Sequence, residues 1–177
     1  MATKWTLDPA HSEVGFKVKH LMITNVKGLF KTYSVTAETE GEDFLNSKIS
    51  FEADAASVDT GNEQRDGHLK SPDFFDVANF PKITFSATGY ENVDSDGSYE
   101  LLGDLTINGI SKPVRLDVEF GGVVHDLWGG IRAGFNINGK INRKDWNLNW
   151  NAATEAGGLL VSETVAISCD IQLVKQA

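Results

Sequence analysis

The chain has 177 residues, 25 acidic against 16 basic side chains, a formal net charge of −9 and a single cysteine. No basic run or basic-aromatic stripe is present to release phosphate counterions, so nucleic acid is excluded as a partner. The apolar stretches are strand-sized, which excludes a membrane-spanning helix, and one cysteine cannot form an intrachain disulfide.

Met1-Ala2-Thr3-Lys4-Trp5 leads directly into Leu7-Asp8-Pro9 without the apolar region of a signal peptide. The expectation is a cytoplasmic chain as the sequence stands, or a periplasmic one if a signal peptide has been removed. Period-two alternation, the mark of a strand with one wet and one buried face, then dominates. Val14, Phe16, Val18 and His20 share a face opposite Glu13, Gly15, Lys17 and Lys19, so His20 interrupts an apolar row. Residues 29–37 alternate less cleanly. Ile49, Phe51, Ala53 and Ala55 form the next row.

Residues 57–85 break the pattern. Thr60 with Glu63 reads as a capping box, and Ser71-Pro72 as an N-cap followed by a first-turn proline, predicting two short helices. A polar helical crossover of this kind either covers an open barrel end or decorates its outside. Strands resume at Ile83, Phe85 and Ala87, at Tyr99 to Ile107, at Val114 to Phe120, at Ile131 to Ile137, at Trp146 to Ala152 and at Val165 to Leu173. Asp94 to Ser98, Asn108-Gly109, Gly121-Gly122, Gly129-Gly130 and Gly157-Gly158 read as turns.

With no linker, repeat or low-complexity run, residues 1–177 read as one domain. About eight or more strands joined by tight turns favour an all-β, extended antiparallel barrel with a helical crossover around residues 59–77, since closure removes sheet edges. An immunoglobulin-like sandwich gives no reason for the crossover.

Catalytic motifs are lacking: no G-x-S-x-G, H-E-x-x-H, phosphate-binding loop or C-x-x-C occurs. His11, His20, His68 and His125 are not at ligand spacing, so no metal or cofactor is expected. Cys169 falls on an apolar strand face, as a small buried hydrophobe. Asp66 and His68 fit either a solvated turn or a polar site. Arg65 and Arg143 fit either structural ion pairs or a diphosphate clamp. The aromatic rows converge on the barrel interior, with Trp146 and Trp150 on one face of their segment. A small barrel can be filled by side chains or hold an elongated apolar ligand. Small residues at Ala53, Ala55, Ala87, Gly103 and Ala133 point toward open volume.

These blocks together resemble the YceI-like family from about Trp5 to Leu173. The similarity is carried by Asp8-Pro9-Ala10-His11-Ser12, Phe16-Lys17-Val18-Lys19-His20, Gly28-Leu29-Phe30, the crossover from Asp59-Thr60-Gly61 through Arg65-Asp66-Gly67-His68-Leu69 to Asp73-Phe74-Phe75-Asp76 and Phe80-Pro81, Gly103 to Val114, and Ile141-Asn142-Arg143-Lys144-Asp145. The resemblance implies a lipocalin-like barrel that holds a polyisoprenoid, as a prenyl diphosphate, a quinone-like lipid or a related long amphiphile, and that pairs as a homodimer. The chain departs from the family pattern at Trp146-Asn147, where a smaller aromatic and a glycine are expected; the tryptophan is expected to shorten the cavity.

The resulting expectation is a non-enzymatic lipid carrier. Phe16, Val18, Phe30, Phe51, Phe85, Leu101, Leu105, Phe120, Phe135 and Trp146 would line the apolar cavity. His20, Arg65, His68 and Arg143 would hold the polar head. His20 should be buried and hydrogen-bonded to a side chain or to the ligand. The alternatives are an enzyme acting on an isoprenoid lipid with His20 as general base, and a stress-related structural barrel with a filled core.

Overall fold

The computed structural model describes residues 2–21, 23–150 and 161–176. Its strands are β1 (Ala2–Leu7), β2 (Glu13–His20), β3 (Thr24–Phe30), β4 (Tyr33–Glu40), β5 (Asp43–Asp54), β6 (Val58–Asp59), β7 (Lys82–Glu91), β8 (Tyr99–Ile107), β9 (Ile110–His125), β10 (Ile131–Asn142) and β11 (Val161–Lys175), with one α-helix, α1 (Glu63–Lys70). All ladders are antiparallel. Strands β1, β4, β5, β7, β8, β9, β10 and β11 form a closed eight-stranded circuit, shut by Trp5, Thr6 and Leu7 of β1 against Lys175, Val174 and Leu173 of β11. Thus the expected antiparallel, lipocalin-like barrel is present.

Strand β11 is long enough to serve two neighbours. Its C-terminal part pairs with β1 and its N-terminal part with β2, which continues to β3 and β6. The pairs β1 and β2, β3 and β4, and β5 and β6 are therefore three long strands, each broken once. In the first break a 3-10 turn, Pro9–His11, is capped by the Asp8 carboxylate, which accepts from the Ala10 N–H at 3.1 Å. The Ser12 hydroxyl substitutes for the interrupted ladder by accepting from the Gln172 N–H at 2.9 Å. Arg132 bridges Asp8 and Asp126.

The alternation in residues 29–37 is irregular because the β3/β4 break lies there. Strand β1 was not anticipated, since only Trp5 and Leu7 mark its inner face. The paired glycines Gly121-Gly122 do not form a turn: they lie inside β9, where the register shifts opposite Gly134 and Phe135. Gly122 has φ +106, so the pair makes a bulge that lets a 16-residue strand bend with the barrel wall. Asn108 and Gly109 form the expected tight turn, both at positive φ.

The crossover contains one helix, not two. Asn62, rather than Thr60, caps α1 by accepting from the Arg65 N–H at 3.0 Å. Thr60 instead donates through its N–H and hydroxyl to Asp66 Oδ1. After Ser71-Pro72 the chain runs through consecutive turns, because the Asp76 and Val77 N–H groups fold back onto the Ser71 and Lys70 carbonyls. Arg143–Trp146 form a 3-10 turn, and Asn147–Trp150 have no regular structure, so the expected strand at Trp146 to Ala152 is absent over its described part. Asn147 adopts φ +61, the conformation for which glycine is the usual residue. Residues 151–152 and the Gly157-Gly158 turn lie outside the described residues.

Most small inward residues do not leave space. A Cβ on Gly103 would stand 2.3 Å from the Phe85 ring and 2.5 Å from the Ser86 carbonyl, and one on Gly28 would stand 2.3 Å from the Phe16 ring. Each phenylalanine lies across the glycine beside it on the neighbouring strand. Ala55, Ala87 and Ala133 are likewise packed into the core. We predict that Gly103→Ala lowers stability by about 1–3 kcal/mol through overpacking. Gly134→Ala, where a Cβ meets nothing within 4 Å, should stay within about 0.5 kcal/mol of wild type. Urea midpoints at constant m-value check both.

Candidate functional site

The barrel is not filled. Its interior holds a cavity of about 690 Å³, within the range of roughly 300–1,000 Å³ typical of small-molecule sites. Phe16, Val18, Phe30, Phe51, Phe85, Leu101, Leu105 and Phe135 line it, as do His20, Arg65, His68 and Arg143. Ala53 borders the open volume.

Two expected wall residues are elsewhere. Phe120 stays on the inward row of β9, opposite Phe135, but its ring packs 6.0 Å from Phe44 and 5.3 Å from Phe135, so it backs the floor instead of bordering the open volume. Trp146 is buried in the 3-10 turn, donating from its indole N–H to the Leu105 carbonyl at 2.9 Å. It therefore does not shorten the lumen. Trp150, at the end of the same segment, is the tryptophan that lines it.

The floor is aromatic. Phe44 meets Phe135 edge-on at 4.9 Å and Trp5 at 4.8 Å, and the Trp5 indole donates to Thr39 Oγ1 at 2.8 Å. Neither Phe44 nor Trp5 was singled out in the sequence: Phe44 is the second residue of β5, and Trp5 lies in a six-residue strand too short for alternation to show a face.

The polar lining groups gather at the other end, among Lys19 and His20 at the end of β2, Thr60, Asn62, Gln64, Arg65 and His68 in the crossover, and Arg143 after β10. With Leu69, Phe74 and Phe75 also lining the cavity, the crossover covers the barrel mouth. His20 is half-buried rather than buried, and its imidazole has no hydrogen-bond partner among the described residues. Of the two mouth histidines, His68 is held by a carboxylate: its Nε2 lies 2.8 Å from Asp73 Oδ2. Edge-on contacts to Trp150 at 4.6 Å and Phe74 at 5.1 Å fix its ring further.

The two arginines differ. Arg65 is exposed; its Nε donates to Thr60 Oγ1 at 2.7 Å and its Nη2 to the Thr60 carbonyl at 2.8 Å, leaving Nη1 unengaged among the described residues. Arg143 is only 3% exposed. Its Nε donates to the Ser162 carbonyl at 2.9 Å, Nη1 to Leu148 and Trp150 at 2.5 and 2.8 Å, and Nη2 to Val161 at 3.4 Å. Neither forms an ion pair among the described residues. Burial lowers the Arg143 pKa, with Glu163 opposing that shift, yet an arginine stays charged. A positive charge neutralised by no contacting carboxylate thus stands in the mouth wall.

Geometry and chemistry together define an antiparallel barrel of the ligand-binding type, with an apolar interior, an aromatic floor and a cationic mouth. The family model for the YceI-like domain matches residues 5–173, and the chain belongs to that family. A UPF0312 protein of Staphylococcus aureus (strain MSSA476) is 40% identical over 164 residues, 92% of each chain. The Campylobacter jejuni YceI protein has a crystal structure with TM-score 0.76 and 36% identity, covering 97% of both chains. A polyisoprenoid binding domain from Saccharophagus degradans shares the fold, with TM-score 0.66 and 18% identity over 98% of both chains.

Two predictions follow from the site. Arg143→Met removes the donor to the Ser162, Leu148 and Trp150 carbonyls and should cost about 3 kcal/mol; Arg143→Lys, which keeps the charge without the planar fork, should recover less than half of this in the same urea titration. Burial pushes the cavity-lining Cys169 thiol up to about 11. Thiolate is thus scarce at neutral pH, and alkylation by iodoacetamide in the folded protein should rise about tenfold per pH unit from pH 8 to 10. A rate that levels off by pH 9 would contradict this burial.

Proposed function

We propose that residues 1–177 act as one lipid-binding domain, a non-enzymatic carrier of a long apolar lipid, with a polyisoprenoid bearing a diphosphate or quinone-like head as the natural cargo. The observation that carries this reading is the 690 Å³ cavity walled by aliphatic and aromatic side chains, with the lysine, arginine and histidine side chains of its lining gathered at its mouth. Chain burial supplies the affinity, at about 0.8 kcal/mol per buried CH₂ before the cost of ordering the ligand. Family membership and the description of the Saccharophagus fold neighbour support the choice of a polyisoprenoid.

The head group is assigned to His20, Arg65 and His68. Arg65 has one nitrogen, Nη1, unengaged among the described residues and available for a charge-assisted bond. Arg143, occupied by carbonyls, contributes its field. The reading includes a homodimer, for which Leu127 and Trp128, 94% and 85% exposed in the turn after β9, offer an apolar contact.

A second reading, an enzyme acting on the same lipid, draws on the His68 and Asp73 pair rather than on His20: an imidazole oriented by a carboxylate at a cavity mouth has the geometry of a general base. Release of inorganic diphosphate over time would favour it.

The deciding experiment titrates a prenyl diphosphate and a prenyl alcohol of equal length into wild type, Arg65→Ala, His20→Ala and Ala53→Phe. Wild type should bind both. Arg65→Ala should weaken the diphosphate about tenfold, in line with a hydrogen bond to a charged group, and leave the alcohol unchanged. Ala53→Phe should weaken both by obstructing the lumen, and bound ligand should slow Cys169 alkylation. Failure of wild type to bind either ligand overturns the carrier reading; equal affinities in all variants overturn the assigned head-group site.

A further inference from the structure

The turn between β2 and β3 sits at the cavity mouth, directly after His20, and displays apolar side chains. Ile23 is 80% exposed and Leu21 is 39% exposed. Leu21 is at φ +54, a left-handed conformation unfavourable for a side chain of its size. No packing within the described residues accounts for this display.

The charge around this tip is opposite to that of the whole molecule. Between Glu13 and Glu38 lie 24 residues with four lysines and no carboxylate, in a chain of net charge −9. Lys17 and Lys27 face each other across β2 and β3, a like-charged pair that weakens the ladder. Lys17 is also opposite Ala166, which is in turn opposite Lys140. None of these three lysines has an ion-pair partner among the described residues. Nearby carboxylates are largely engaged: Glu163 pairs with Lys144, Asp59 with Lys31, Asp73 with His68, and Asp66 accepts from Thr60. Glu63 on the crossover and Asp145 in the turn that holds Arg143 are exposed exceptions. At the floor end, Glu38, Glu40, Glu42, Asp43, Asp94 and Asp96 crowd the turns.

We propose that the mouth docks on the surface of an anionic lipid bilayer, with Leu21 and Ile23 entering the interface and Lys17, Lys27 and Lys140 contacting the headgroups. The separation of charge along the barrel orients the molecule, since an anionic surface attracts the mouth and repels the floor. One short apolar tip binds weakly on its own, and added cations make the attachment stable yet reversible. This places the cavity opening at the lipid, whatever molecule the cavity holds.

Flotation of the full chain with vesicles tests the proposal without any prenyl ligand, so its result is separate from the identity of the cargo. Wild type should float with phosphatidylcholine vesicles containing phosphatidylglycerol and not with phosphatidylcholine alone, and added salt should release it. Lys17→Gln/Lys27→Gln/Lys140→Gln should lower the partition coefficient about a hundredfold, at about fivefold per lysine. Ile23→Ser should also lower it. Val93→Ser, in the exposed turn after β7 at the floor end, should leave it unchanged. Circular dichroism and the thermal midpoint confirm that each variant is folded. Absence of wild-type binding to anionic vesicles, equal binding to neutral ones, or wild-type partitioning by the triple variant would each overturn the proposal.

Discussion

Three residue pairs, Trp5 with Lys175, Thr6 with Val174 and Leu7 with Leu173, join the first strand to the last. Every other ladder in the circuit joins strands adjacent in the sequence order of the barrel, and without this closure the sheet would have two long open edges. Closure also constrains β11: having given its C-terminal end to β1, it must meet β2 with the remainder. The breaks in the first three long strands accommodate that demand. They separate an upper ladder of β2, β3 and β6 from β1 and β4 below, with β2 taking the part of β11 that β1 leaves.

The mouth is polar for a local reason as well. Chain leaving β10 must cross toward β11, and Arg143 secures that crossing through backbone carbonyls on both sides, at Leu148 and Trp150 and at Ser162 and Val161. A buried guanidinium is costly unless its donors are satisfied. Among the described residues that satisfaction is by backbone carbonyls alone, so the residue that fastens the wall also carries a charge paired there with no contacting carboxylate.

Much of the barrel was legible because one wet and one buried face imposes strict alternation. Val14 to His20 and Tyr99 to Ile107 show their inner faces directly in the sequence. The crossover was legible as an interruption, though its capping was not: Thr60 has the spacing of a cap, yet its hydroxyl is taken by Asp66 and the Arg65 side chain, and Asn62 accepts from the helix N–H instead. Cavity volume was least legible. Small residues at Gly28 and Gly103 mark the resting places of Phe16 and Phe85 rather than empty space, and Phe120, though on the inward row opposite Phe135, is stacked into the aromatic floor. Trp146 and Trp150 illustrate the same limit, since the assignment of a shared face presupposed a strand that the described residues do not form.

The three strand breaks lie side by side. Lys31 N–H donates to the Ser57 carbonyl and Asp54 N–H to the Thr32 carbonyl, tying the second break to the third, while Asp8 to Ser12 occupies the same level on the neighbouring strand. Together they form a horizontal seam across part of the barrel. Above such a seam, residues added in pairs to both arms of the β2 and β3 hairpin preserve which side chains face inward. Evolution can therefore deepen or shorten the vessel by editing one hairpin, with strand number, closure and floor left as they are.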